Sequence, residues 1–307
     1  MLSGFRRNTL TRCPGNRQQA SKLIFERRLF DMQAWVIDSN MLQSDELRDY
    51  LHSSAHNFAV LPDLAWYEIY KQETLDGLRY GLSVVGEHPD QAILLRSGHH
   101  IAQLHPDVAE DVSHMVWERP LGDIRHSAYL VRSDAPLDTE AQGQLGALWA
   151  WARTLRPSLI EGAVDLVESF PEMQMQLFDR REIRIIRTSG KYTEQMIVKI
   201  FGAAIQIWET LAQGYELSTE GLSEEAISRT YLFRVGLGLI MYLLWWIRGG
   251  SQRIVRIDRA SNDFVDLSFA VYATYFDGLM SRDDKALWVH QNLVSAIASF
   301  RNHYSAD

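Results

Sequence analysis

Two stretches far apart in the chain carry acidic side chains where an apolar run gives way to polar residues: Val36-Ile37-Asp38-Ser39-Asn40, and Asn262-Asp263-Phe264-Val265-Asp266 running on to Asp283-Asp284. A single aspartate at such a point is an ordinary turn former. Acids recurring at the ends of several elements describe instead one shared anionic pocket, and carboxylate oxygens are the donors a hard divalent cation takes.

The elements that would position these acids follow from the apolar pattern. Residues 34–38 alternate little, as a strand buried on both faces does. Ser44-Asp45-Glu46 starts a helix with Leu47, Tyr50 and Leu51 on one face. Asn57–Leu61 reads as a second strand stopped by Pro62, and Asp63 as the N-cap of a helix that carries Glu68. Another strand is expected at 92–95. This order opens a parallel α/β sheet.

From 108 to 247 the spacing is helical. Leu145, Leu148, Trp149 and Trp151 lie around one helix, and Met196 to Trp208 mark another. Pro157, Pro171, Ser189-Gly190 and Gly214 would divide the region into about five helices. Then 253–257 reads as a short strand or lead-in, 263–276 as a helix starting with acids, 278–281 as a strand, and 288–300 as a last helix. In a right-handed parallel sheet the carboxyl ends of the strands gather on one side. Asp38, Glu68, Asp266 and Asp283 would then converge.

In this order the residues resemble the PIN-domain nucleases. That family's pattern is a strand ending in Asp-x-Asn, a Glu on the following helices, an Asp opening a later helix, and a last strand closing in Thr or Ser-x-Asp. The matches are Asp38-Ser39-Asn40, Glu68 in PDLAWYEIYK, Asp263 or Asp266 in NDFVDLSFAVYATYFDG, and Ser281-Arg282-Asp283 in LMSRDD. They cover residues 33–95 and 253–303 only.

The resemblance implies a three-layer, parallel-sheet, Rossmann-like PIN domain. Glu68 and Asp266 are further apart than in a compact member, which requires a large all-helical insertion. The expected division is a basic tail or misassigned start over 1–31, a first PIN-like half over 32–107, the insertion over 108–250 and a second half over 251–307.

The implied activity is divalent-metal-dependent phosphodiester hydrolysis, with Mg²⁺ or Mn²⁺ as cofactor and RNA favoured over DNA, which describes an endoribonuclease. Asp38, Glu68, Asp266 and Asp283 would be the catalytic acids and metal ligands, with Asp263 a further ligand candidate. Asn40 and Ser281 would orient them through hydrogen bonds. Arg253, Arg256 and Arg282 would bind substrate phosphate, although salt bridges to nearby acids suit the first two equally. Each residue also has an ordinary reading: Asp38, Asp263 and Asp283 as turn or cap residues, Glu68 as a solvated helix position. Toxin members of the family are restrained by an inhibitory protein. For this chain that partner and a homodimer are both open.

Composition narrows the alternatives. The net charge of −8 hides a basic head: residues 1–31 hold seven Lys and Arg against two acids, leaving 24 basic and 37 acidic residues beyond them. Such acidity argues against a broad nucleic-acid footprint and for focused binding. Cys13 is the only cysteine, so neither an intrachain disulfide nor a multi-cysteine zinc site can form, and a cytoplasmic setting is expected. The longest apolar run, 235–247, is short of the roughly 20 residues of a spanning helix and carries no expectation of a membrane partner. His52 and His56 share a helical spacing but lack a third zinc ligand. Arg180, Arg181, Arg184, Arg187 and Lys191 form the densest basic patch, either a phosphate-backbone contact or a charged face paired with Asp179 and Glu182. There is no phosphate loop and no nucleophile elbow. A rival reading keeps the PIN-like scaffold without catalysis, binding nucleic acid or a protein through its helical region.

Overall fold

A computed structural model describes residues 32–117, 138–252 and 257–304 of the chain. Four parallel strands form the sheet: β1 (Gln33–Ile37), β2 (Asn57–Leu61), β3 (Ala92–Leu94) and β4 (Gly278–Met280), in the order β3-β2-β1-β4. β1 and β4 pair Val36 with Leu279 and Ile37 with Met280, and β2 and β3 pair Val60 with Ile93. Val36, Ile37, Ala59, Val60 and Leu61 are fully buried, as expected of short apolar strands covered on both faces. The chain steps from β1 outward to β3 and returns on the other side of β1, so the winding reverses between β1 and β4. In open parallel sheets, ligands bind outside the carboxyl ends of the strands at such a reversal.

The remainder is helical. Around the first strands lie α1 (Asp45–Ser53), α2 (Asp63–Tyr70), α3 (Leu75–Gly81) and α4 (Gly98–Ala102). Then come α5 (Thr139–Leu177), α6 (Arg180–Thr188), α7 (Glu194–Gly214), α8 (Glu224–Arg229) and α9 (Tyr231–Arg248), followed by α10 (Ile257–Ala273) and, after β4, α11 (Asp284–Tyr304). Ser44 caps α1, its hydroxyl accepting the Leu47 N–H at 3.1 Å, and Thr193 and Thr230 cap α7 and α9 the same way. Asp63 does not cap α2: Pro62 holds that position, and the Asp63 carboxylate accepts from Leu64 N and, across the fold, from Gly98 N at 2.7 Å.

Two expectations about helix limits are corrected. Pro157 and Pro171 do not divide the chain, since α5 runs through both. Both prolines lie on the exposed face, where a carbonyl freed by the missing N–H can turn to water. Ala152, Leu159, Ala163 and Phe170 hold the opposite face in the core at helical spacing. α10 begins at Ile257, so Asp263 and Asp266 lie in its middle, not its opening turn.

α9 packs between α7 and α11 and also meets α10, while α10 lies on α5 and α11. Phe201 and Phe233 meet Phe300 with ring centroids 5.0 and 4.6 Å apart, all three fully buried and each worth about 1.5–3 kcal/mol of burial. α9 has the length and hydropathy to cross a membrane, and 67% of it is buried inside the protein. It contains a buried charge: Arg234 donates to Glu110 at 2.6 Å and to the Thr274 carbonyl at 2.9 Å, and lies 3.5 Å from the Tyr275 ring centroid. From Ala34 onward the described residues form one compact unit.

Candidate metal-binding cleft

The first acid is placed by the strand it terminates. β1 is anchored in the core by Val36 and Ile37, and the next N–H, that of Asp38, donates to the Met280 carbonyl at 3.0 Å. Asp38 is thereby fixed at the carboxyl ends of both β1 and β4, and only 1% of it is exposed. Its Oδ2 accepts from Asn40 Nδ2 at 2.7 Å and from Ser281 Oγ at 2.5 Å, and Oδ1 from Ser39 Oγ at 3.3 Å. Ser281 Oγ in turn accepts the Asp283 N–H at 3.0 Å, and Asn40 Oδ1 accepts the Arg282 N–H at 3.2 Å. Asn40 and Ser281 thus brace Asp38 from two segments more than two hundred residues apart in the chain. Asp283 spends Oδ1 on the Ala286 N–H at 2.7 Å, starting α11, so its capping reading holds alongside its place in the cleft.

Asp38, Glu68, Asp263, Asp266 and Asp283 all line one cleft of about 590 Å³, with Asn40, Lys71, Trp245, Arg282 and Lys285 also on its wall. Asp263 and Asp266 are three residues apart on α10, so their side chains share a face. They differ in what engages them. Asp263 Oδ2 accepts the Tyr242 hydroxyl and Oδ1 the Lys285 ammonium, so each of its oxygens already has one partner. Asp266 Oδ2 lies 3.4 Å from Lys285 Nζ, and among the described residues Asp266 makes no hydrogen bond through its side chain. Glu68 is paired with Lys71 at 2.5 Å.

The acids sense one another. Burial and, beyond it, the charges of Asp38, Asp283 and Asp263 push the Asp266 carboxyl up to about 7, against the downward pull of Lys285. Burial also raises Asp38, partly offset by the Ser281 hydroxyl. Hard anionic oxygens whose repulsion a cation would relieve are the chemistry of a Mg²⁺ or Mn²⁺ site, and Asp38, Asp266 and Asp283 have that character. No group of three or more His, Cys, Asp or Glu among the described residues is arranged to hold a metal ion.

Among the expected phosphate-binding arginines, Arg282 is at the cleft but donates to Glu46 at 2.7 and 2.9 Å, while Arg253 and Arg256 lie outside the described residues. In the basic patch, Arg187 is spent on the Ile247 carbonyl and Ser251, and Arg180, Arg181 and Arg184 are exposed. His52 packs edge-on against His88.

Lys285, Lys71 and Trp245 as cleft residues, and Tyr242 as the buried partner of Asp263, are not legible in the sequence. Lys285 looks like any lysine in a first helical turn, and Tyr242 and Trp245 sit within the longest apolar run. A signal for Lys285 was present: it follows Asp283-Asp284 and α11 begins there, which turns its side chain back toward the strand ends. Compared with protein-family models, curated proteins and solved structures, the chain finds no match.

Proposed function

We propose that the chain is a divalent-metal-dependent nuclease that hydrolyses phosphodiester bonds, an endoribonuclease in its preferred substrate, built as a PIN-like domain with residues 108–250 as a helical insertion. The supporting observation is the convergence of Asp38, Glu68, Asp266 and Asp283 on one cleft at the reversal point of a parallel sheet. Asp38, Asp266 and Asp283 are the residues that would hold Mg²⁺ or Mn²⁺; when bound, the ion supplies Lewis acidity that makes water easier to deprotonate and offsets phosphate charge. Asn40 and Ser281 keep Asp38 ionisable and correctly turned, a positioning duty. Asp263 anchors Lys285, and Glu68 with Lys71 closes another side of the cleft.

The test is cleavage of single-stranded RNA in Mn²⁺ by the wild-type chain and by Asp38→Ala and Asp283→Ala, with circular dichroism to check the fold. Loss of cleavage in folded variants supports the reading. Full activity in both eliminates it, and an inactive wild-type chain that still binds RNA leaves the non-catalytic scaffold.

A further inference from the structure

Lys285 is held unusually firmly for a lysine. Its side chain is only 12% exposed, its ammonium pairs with Asp263 Oδ1 and lies 3.4 Å from Asp266 Oδ2, and it sits 5.3 Å from the Tyr242 ring. Tyr242 reinforces this by donating to the other oxygen of Asp263. Confining a lysine in one geometry costs up to about 2 kcal/mol of rotamer entropy, so a single contact at a surface would not keep it there. Here a carboxylate, a second carboxylate and an aromatic face all fix one point charge inside the acidic cleft.

Phosphodiester hydrolysis in two-metal sites places two cations about 3.5–4 Å apart, one on each side of the reacting phosphate. In this cleft the acids of α10 already hold a cation, the Lys285 ammonium of α11. Resting on the nuclease reading above, we infer that Lys285 takes the place of a second metal: the cleft binds one divalent ion through Asp38, Asp266 and Asp283, and the Lys285 ammonium holds a non-bridging oxygen of the nucleic-acid phosphodiester. An ammonium has three donors. Asp263 takes one, the Asp266 carboxylate lies 3.4 Å away as an ion pair, and a donor remains for the substrate. Asp263 is then a positioning residue for Lys285 and not a metal ligand, which separates the two acids of α10 that sequence spacing leaves equivalent.

Calorimetric titration with Mn²⁺ reads this directly. Wild type takes up one ion per chain, Asp38→Asn and Asp266→Asn take up none, and Asp263→Asn still takes up one. Lys285→Met frees Asp263 Oδ1 and Asp266 Oδ2 and takes up two, whereas Lys285→Arg, which keeps the charge, takes up one. In Mn²⁺, affinity for a short phosphorothioate RNA, whose backbone resists hydrolysis, falls about tenfold in Lys285→Met and is kept in Lys285→Arg. Two ions on the wild-type chain, or one ion and unchanged RNA affinity in Lys285→Met, overturn the role of Lys285 alone. No uptake by the wild-type chain at millimolar Mn²⁺, or uptake indifferent to Asp38→Asn, overturns the nuclease reading with it.

Discussion

Replacing Asp266 by asparagine should stabilise the protein at alkaline pH and leave it nearly unchanged in acid. The Asp266 carboxyl lies at about 7 in the fold, against roughly 4 in an unfolded chain. Between those values the folded protein keeps a proton that the unfolded chain has released, so this group's contribution to stability falls as pH rises through that window. Above 7 the penalty is complete. A displacement of about three pH units is at most about 4 kcal/mol. The pull of Lys285 is already contained in that value; water reaching the partly exposed carboxyl screens the remaining repulsion, and about half, roughly 2 kcal/mol, is expected as net gain. For a chain of this size, 1 kcal/mol moves Tm by about 2–4 °C, so Asp266→Asn should melt roughly 4–8 °C above wild type at pH 8. At pH 5 the unfolded carboxyl has already released its proton while the folded one keeps it, so about a third of the gain is present and the difference should shrink to about 1–3 °C. The assay is differential scanning calorimetry from pH 5 to 8 in EDTA, which keeps cations from relieving the repulsion. A difference in Tm that is the same at both pH values, or a variant less stable at pH 8, would refute the idea that burial, with the acidic neighbours behind it, raises the Asp266 carboxyl.

Two further outcomes test the packing that positions the cleft. At Gly236 in α9 an added Cβ would stand 2.9 Å from the Ala204 backbone carbonyl of α7, so Gly236→Ala should cost about 1–3 kcal/mol in urea unfolding, while Gly146→Ala, with open space around it in α5, should stabilise by about 0.5–1 kcal/mol. Glu110 accepts from both Arg234 and Arg301, and its replacement by alanine leaves the buried Arg234 guanidinium without its carboxylate; a loss of about 2 kcal/mol is expected, read as a lower urea midpoint at unchanged m-value.

Much of the cleft could be read before any coordinates, and the reason is local. Asp38 follows an apolar strand and Ser281 and Asp283 follow another, so the turn from strand to polar loop announces both, and a parallel sheet brings those ends together. The helical part was harder. Prolines normally end helices, but Pro157 and Pro171 sit on the solvent side of a helix whose inner face carries Ala152, Leu159, Ala163 and Phe170, so packing outweighs the local signal. Asp263 and Asp266 looked like helix openers because a polar Arg-Ala-Ser-Asn stretch precedes them, yet α10 starts earlier and α5 covers its apolar face. Tyr242 carries no mark in the sequence, and the position of Lys285 after Asp283-Asp284 marks only a helix start. Their role depends on three helices meeting, which no spacing within a single segment reveals.

The most direct measurement of the central claim is an anomalous-difference map from crystals soaked in Mn²⁺. A single peak bridging the carboxylates of Asp38, Asp266 and Asp283, with Lys285 still against Asp263, is the expected result. A cleft without a peak at millimolar Mn²⁺, or a peak elsewhere on the protein, would contradict it.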